Sequence, residues 1–247
     1  MPIRAVLWDL DDTLFDYRGS DRAGALRHLE AEGVLSRFST VEAALARWRS
    51  VGEEQFARFR AGELGFAEHR RERARCFLGE RLPDAEADAW FARYVALYEQ
   101  SWRLFPDAVP ALDALTPGYR HGVLSNAAAA HQERKLRLLG LRDRIEVLLC
   151  ADELGCAKPA PEAFLAGCAA LSLEPGEVAY VGDRADTDAR AADAAGVHGI
   201  WLDRTVGLGG DCDGAEERDG PNGAEGAGPP VRRIAGLAEL SALLAEL

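Results

Sequence analysis

The chain has 247 residues, 48% of them hydrophobic and 28% charged, with a net charge of −12. This is the composition of an ordinary globular protein with a real core, and its negative charge argues against nucleic acid or an anionic membrane as a partner. The five cysteines form no CxxC pair, which speaks against a zinc site or a disulfide framework and for a reducing, cytoplasmic setting.

No apolar run is long enough to span a bilayer, and the N-terminus lacks the pattern of a signal peptide. The 29 basic residues include only two lysines, Lys135 and Lys158. A preference for Arg codons explains most of that bias. It also makes each lysine worth examining.

Residues 3–9 form a short apolar run that ends in acid, the pattern of a buried strand. Directly behind it, "WDLDDTLFD" (8–16) places Asp9, Asp11, Asp12 and Asp16 within eight positions. Two unit charges about 4 Å apart repel by roughly 4 kcal/mol even at an effective dielectric near 20. Either the stretch is a solvated turn, the expectation for Asp12, or it awaits a cation. Residues 16–105 then turn helical: Val41, Ala44, Leu45, Trp48, Phe56 and Phe59 recur at helical spacing, as do Trp90, Tyr94, Leu97, Tyr98 and Trp102. This block reads as about four helices, and its fifteen Arg balance fifteen Asp and Glu.

From residue 106 the chain alternates. "DAVPALDALTPG" predicts a helix with Asp107 as its N-cap, and "HGVLSN" a strand. Residues 127–139 predict a helix, "IEVLLC" a strand, "PEAFLAGCAALSL" a helix and "EVAYVGD" a strand. Residues 187–195 are helical, "VHGIWL" is a strand and "GLAELSALLAEL" a terminal helix. Nearly all-apolar strands alternating with helices predict an α/β fold, a parallel sheet covered on both faces. The helical block is an insertion after its first strand. Residues 203–230 are rich in Gly, Asp, Glu and Pro without apolar periodicity, and predict a mobile, low-complexity surface loop.

In an open parallel sheet, ligands bind at the carboxyl ends of the strands. Here those ends carry Asp9, Asp11 and Thr13; then Ser125 and Asn126; then, past "IEVLLC", Lys158-Pro159; then Asp183, Asp186 and Asp188. Each alone is common. Four strand ends bringing carboxylates, a hydroxyl and an amine to one edge form a specific signal. Ser125 also suits an N-cap for the next helix, and Asn126 divides evenly between capping and substrate contact.

"DLDDT", "LSN", "KP" and "VGDRADTD" resemble, in order, the four motifs of the haloacid dehalogenase-like (HAD) hydrolase superfamily, and the helical insert resembles its C1-type cap. The resemblance covers most of the chain outside 203–230. It implies a Rossmann-like catalytic core over 1–15 and 106–247, a helical cap over 16–105, a magnesium ion and an aspartyl-phosphate intermediate. By the same resemblance Asp9 is the nucleophile and Asp11 the general acid and base. Magnesium falls to the Asp9 and Asp183 carboxylates and the Asp11 carbonyl. Ser125, Asn126 and Lys158 fall to the substrate phosphate, with Thr13 and Asp188 behind them.

Within the superfamily the haloacid dehalogenases usually lack the second acid, present here as Asp11. The phosphonate hydrolases use a cap lysine, and residues 16–105 contain none. The expectation is therefore a magnesium-dependent phosphatase acting on a small-molecule phosphate monoester. A phosphomutase of the same fold is the enzymatic alternative. A phosphorylated receiver-like module is the non-enzymatic one, and receivers are much shorter.

Overall fold

Strand β1 (Ala5–Trp8) is wholly buried and becomes the axis of the molecule's only sheet among the described residues. The structure, a computed structural model, describes residues 1–205 and 231–247. Most of the expected 203–230 loop thus lies outside the described residues. The chain forms two units: Met1–Asp16 with Leu104–Leu247, and Tyr17–Arg103.

The unit Tyr17–Arg103 consists of helices α1 (Tyr17–Ala31), α2 (Val41–Arg60), α3 (Phe66–Leu78) and α4 (Asp84–Glu99). Thr40 caps α2 by accepting the Ala43 N–H at 3.0 Å. The core is aromatic: Trp48, Phe77, Trp90 and Tyr94 are buried together around His28. The helical pattern overreaches at Phe56, which is exposed; the buried face of α2 continues instead through Val51 and Gln55. Gly52 lies within α2, and a Cβ there would meet the Arg73 guanidinium carbon at 2.8 Å. The missing side chain admits Arg73, whose charge stacks 3.9 Å from the Trp48 ring.

In the other unit the chain continues through α5 (Ala108–Leu115), β2 (Arg120–Ser125), α6 (Ala129–Leu138), β3 (Val147–Cys150), α7 (Ala151–Leu154) and α8 (Pro161–Ala170). Then come β4 (Val178–Gly182), a π-helical stretch Ala185–Arg190, α9 (Ala191–Ala194), β5 (His198–Leu202), β6 (Arg232–Ile234) and α10 (Leu240–Ala245). All six strands are parallel, in the order β3-β2-β1-β4-β5-β6. This is the expected α/β, Rossmann-like architecture with a helical insertion after β1. Phe164, Cys168, Leu171 and Val197 pack against Leu7, Val178 and Tyr180 to cover one face.

Asp107 does not cap α5 as expected. Its carboxylate pairs with Arg204 at 3.0 Å and accepts the Leu237 N–H, tying the end of β5 to the C-terminal segment. Arg204 also donates to the Thr13 carbonyl at 2.8 Å. Residues 203–205, expected to open the mobile loop, are therefore anchored.

Register sets the site. Trp8 pairs with Val123 of β2 and with Val181 of β4. The residues just beyond β1 therefore emerge between the ends of β2 and β4. Chain order reverses between β1 and β4, the switch point at which parallel sheets leave a crevice.

Candidate active site

The acidic stretch after β1 is a turn held rigidly from below. Asp9 extends the strand by donating its N–H to the Val181 carbonyl at 2.8 Å. The N–H groups of Thr13, Leu14 and Phe15 then all turn back to the Leu10 carbonyl. Leu10, Leu14 and Phe15 are fully buried, so apolar burial fixes the loop while its carboxylates point elsewhere. Asp12 takes a φ of 61°, a left-handed conformation that Asp tolerates better than most residues, as suits a turn.

Asp9 and Lys158 form the buried centre. The Lys158 Nζ donates to Asp9 Oδ1 at 2.7 Å, to Asp188 Oδ1 at 2.8 Å and to the Tyr180 hydroxyl at 2.6 Å. An ammonium has three protons, and all three are directed at these oxygens. Thr13 donates its hydroxyl to the other Asp9 oxygen at 3.3 Å. Asp188 also accepts the Arg184 N–H, and a Cβ on Gly182 would lie 2.5 Å from its carboxylate. Glycine at the end of β4 is what lets the π-helical turn bring Asp188 under Lys158. Burial pushes the Asp9 carboxyl up to about 7 against the pull of Lys158, with Asp188 adding to the rise. Lys158 is raised: burial disfavours its charge, but the Asp9 and Asp188 carboxylates outweigh that.

Asp183, two residues past Val181, completes an acidic cluster. Asp9, Asp183 and Asp188 each offer an oxygen within 4.8 Å of the others. Three carboxylates against one ammonium leave excess negative charge on hard oxygen donors. That donor set fits a hard divalent cation.

The β2 end is organised differently from expectation. Asn126 donates its amide to the Lys158 carbonyl at 2.9 Å and accepts the Lys158 N–H at 2.8 Å. Both ends of its carboxamide hold the Lys158 backbone, so Asn126 supports Lys158 in this structure. Ser125 is not the cap of α6; its oxygen accepts the Ala127 N–H at 3.2 Å and Gln132 Nε2 at 2.8 Å. The Ala129 N–H at the start of α6 is served instead by Asp152.

Gln132, Lys135 and Tyr180 join the site although none of them lies in a recognisable motif. Gln132 Nε2 donates to Asp11 Oδ2 at 2.8 Å, and Lys135 pairs with Asp11 Oδ1. Both lysines of the chain are thus buried against the first acidic motif, Lys158 on Asp9 and Lys135 on Asp11. Asp186 stays at the rim, paired with Arg190.

Among the described residues no helix is long and apolar enough to cross a membrane, and Cys76, Cys150, Cys156 and Cys168 are free thiols. The chain resembles the phosphoserine phosphatase of Thermus thermophilus, 32% identical over 74% of this chain and 67% of that one. It also resembles the glyceraldehyde 3-phosphate phosphatase of Methanopyrus kandleri, 30% identical over 82% and 84%. In fold it is similar to the HAD-hydrolase YfnB of Bacillus subtilis, solved bound to magnesium, with a TM-score of 0.73 at 18% identity over 99% of both chains. Residues 3–196 match the haloacid dehalogenase-like hydrolase family. With the acid, hydroxyl, lysine and acid at successive strand ends, this chain belongs to that family.

Proposed function

We propose that this hydrolase is a magnesium-dependent phosphatase that cleaves a small-molecule phosphate monoester through a phosphorylated Asp9. The observation that carries the reading is the pair Asp9 and Asp11 on one rigid turn. Each carboxylate faces its own buried lysine, and the Asp9 carboxylate lies in the acidic cluster with Asp183 and Asp188. The phosphatase names of the relatives support it.

In the first step an Asp9 oxygen attacks phosphorus and the bond from phosphorus to the ester oxygen breaks. The leaving alkoxide takes a proton from Asp11. In the second, water loses a proton to Asp11 and attacks phosphorus. The bond between phosphorus and Asp9 breaks, which frees phosphate and restores the carboxylate. Ser125 donates its hydroxyl to a phosphate oxygen. Lys158 offsets the charge of Asp9 as the phosphoryl group approaches, with Asp188, Tyr180 and Asn126 holding it and Thr13 orienting Asp9.

We assign magnesium to the Asp9 and Asp183 carboxylates with the Asp11 carbonyl; once bound it neutralises charge on the transferring phosphoryl group. Asp188, engaged with Lys158 and Arg184, acts as a support. Substrate selection falls to the helical insert. Its two connections to the α/β unit are neighbours there, for the Phe105 N–H donates to the Leu14 carbonyl at 3.0 Å.

The test is phosphate release from a panel of phosphate monoesters with magnesium and with excess chelator. Release that requires the metal is expected. Release from no ester, or undiminished release in chelator, overturns the reading.

A further inference from the structure

Lys135 and Gln132 sit one turn apart on α6, and both are buried, Gln132 to 0% and Lys135 to 1% exposure. Stability alone does not explain either. Gln132 turns its nitrogen toward Asp11 and Ser125 and leaves its buried oxygen without a hydrogen-bond partner. A buried unpaired amide oxygen costs free energy that an apolar side chain of the same shape avoids. Burying Lys135 beneath a partly exposed aspartate likewise removes an ammonium from water. In a chain that otherwise uses Arg for its positive charge, the compact point charge of a lysine is kept here and at Lys158.

The geometry accounts for both. Each Asp11 oxygen is engaged once, Oδ1 by Lys135 and Oδ2 by Gln132, and each keeps a second lone pair that can carry or take a proton. The Ser125 oxygen already accepts two hydrogen bonds, from the Ala127 N–H and from Gln132. A hydroxyl with both acceptor positions filled has only its proton left to offer.

We propose that Gln132 and Lys135 are positioning residues: Lys135 and Gln132 fix the Asp11 carboxylate for proton transfer, and Gln132 also turns the Ser125 proton outward to bind phosphate. This rests on the phosphatase reading above. It assigns different consequences to the two side chains, since only Gln132 touches both partners.

The experiment compares Lys135→Met and Gln132→Met with wild type at saturating magnesium. One measurement is single-turnover alcohol release from p-nitrophenyl phosphate, whose leaving group needs little protonation, and from glycerol phosphate, which needs it. The other is inhibition by inorganic phosphate. General acid catalysis is worth about 10²–10⁴-fold, so misplacing the acid should slow glycerol phosphate at least about tenfold in both variants. Release of p-nitrophenol should slow clearly less than release of glycerol in both variants, on the same principle. Gln132→Met alone should weaken phosphate inhibition, by about tenfold for one lost charge-assisted hydrogen bond. It should weaken it no further in a Ser125→Ala background.

Equal slowing of both substrates, or equal loss of phosphate inhibition in both variants, overturns the proposal in favour of a structural role. If Lys135→Met does not fold, Lys135→Gln makes the same comparison with a polar side chain. A wild-type protein that releases neither alcohol overturns instead the phosphatase reading on which the proposal stands.

Discussion

The two units of this protein place charge in opposite ways. In the helical unit Arg71 meets Asp84 and Asp88 at 2.6 and 2.7 Å, and Arg93 meets Glu32 at 2.6 Å, all at the surface. Its interior is aromatic, and several polar atoms trapped there go unanswered: both nitrogens of His28, Trp48 Nε1 and the Ser20 hydroxyl lack hydrogen-bond partners. In the α/β unit the buried lysines and the carboxylates facing them are tied into networks. Asp9, Lys158, Asp188 and Tyr180 form one network, and Asp11, Lys135, Gln132 and Ser125 a second. Surface pairs are worth little because water screens them, whereas a buried pair is costly to assemble and costly to break. Buried charge gathered into hydrogen-bonded networks at strand ends therefore marks chemistry, and exposed pairing on helices marks solubility.

The sharpest way to break that contrast is Asp9→Asn. The amide is nearly isosteric yet cannot attack phosphorus, so turnover should fall by a factor on the order of 10⁴ or more. Circular dichroism should still report a folded protein. Turnover within tenfold of wild type would remove Asp9 from the chemistry.

Metal removal comes next, because it probes the negative excess of the α/β site alone. Excess chelator should abolish activity, and magnesium should both restore it and raise the melting temperature. A ligand at a hundred times its dissociation constant stabilises the folded state by about 2.7 kcal/mol. The magnesium-dependent rise should be lost in Asp183→Asn.

His28 probes the unanswered interior of the helical unit. Burial lowers its pKa to about 4, with Glu32 opposing and Arg93 assisting. The unfolded chain takes up this proton near pH 6.5 and the folded one does not, so stability should fall as pH drops from about 6.5 toward 4. The linkage is worth up to about 3 kcal/mol. Melting curves of wild type and His28→Leu across that range should diverge, with the variant flatter. Parallel curves would mean that the imidazole is answered by water.

The smallest effect belongs to the surface pairs. Arg93→Ala should cost at most about 1 kcal/mol, and less in high salt. A larger loss would show that Arg93 supports the packing around Glu32 and His28.

Much of this was legible in the sequence, for physical reasons. Apolar runs, those of β1 and β4 ending in acid, revealed most of the buried parallel strands, and their order along the chain predicted Asp9, Ser125, Lys158 and Asp183 at one sheet edge. What escaped were partners far apart in sequence. Lys135 lies in mid-helix and its aspartate is 124 residues away; the only local trace was that lysine is so rare. Asn126 reads equally as a cap or a substrate contact, and its hold on the Lys158 backbone shows only in the fold; Tyr180 reads as one more strand aromatic. The three residues of β6 are too few, and too rich in Arg, to show a strand pattern.

The most direct measurement is to locate the phosphoryl group during turnover. Enzyme mixed with ³²P-labelled substrate and magnesium is quenched in acid within the first turnovers and digested with trypsin. The label should appear on the peptide that follows Arg4 and ends at Arg18, AVLWDLDDTLFDYR, and fragmentation should place it on Asp9 rather than Asp11, Asp12 or Asp16. Label on any other residue, or turnover of the Asp9→Asn protein at the wild-type rate, would contradict a phosphorylated Asp9.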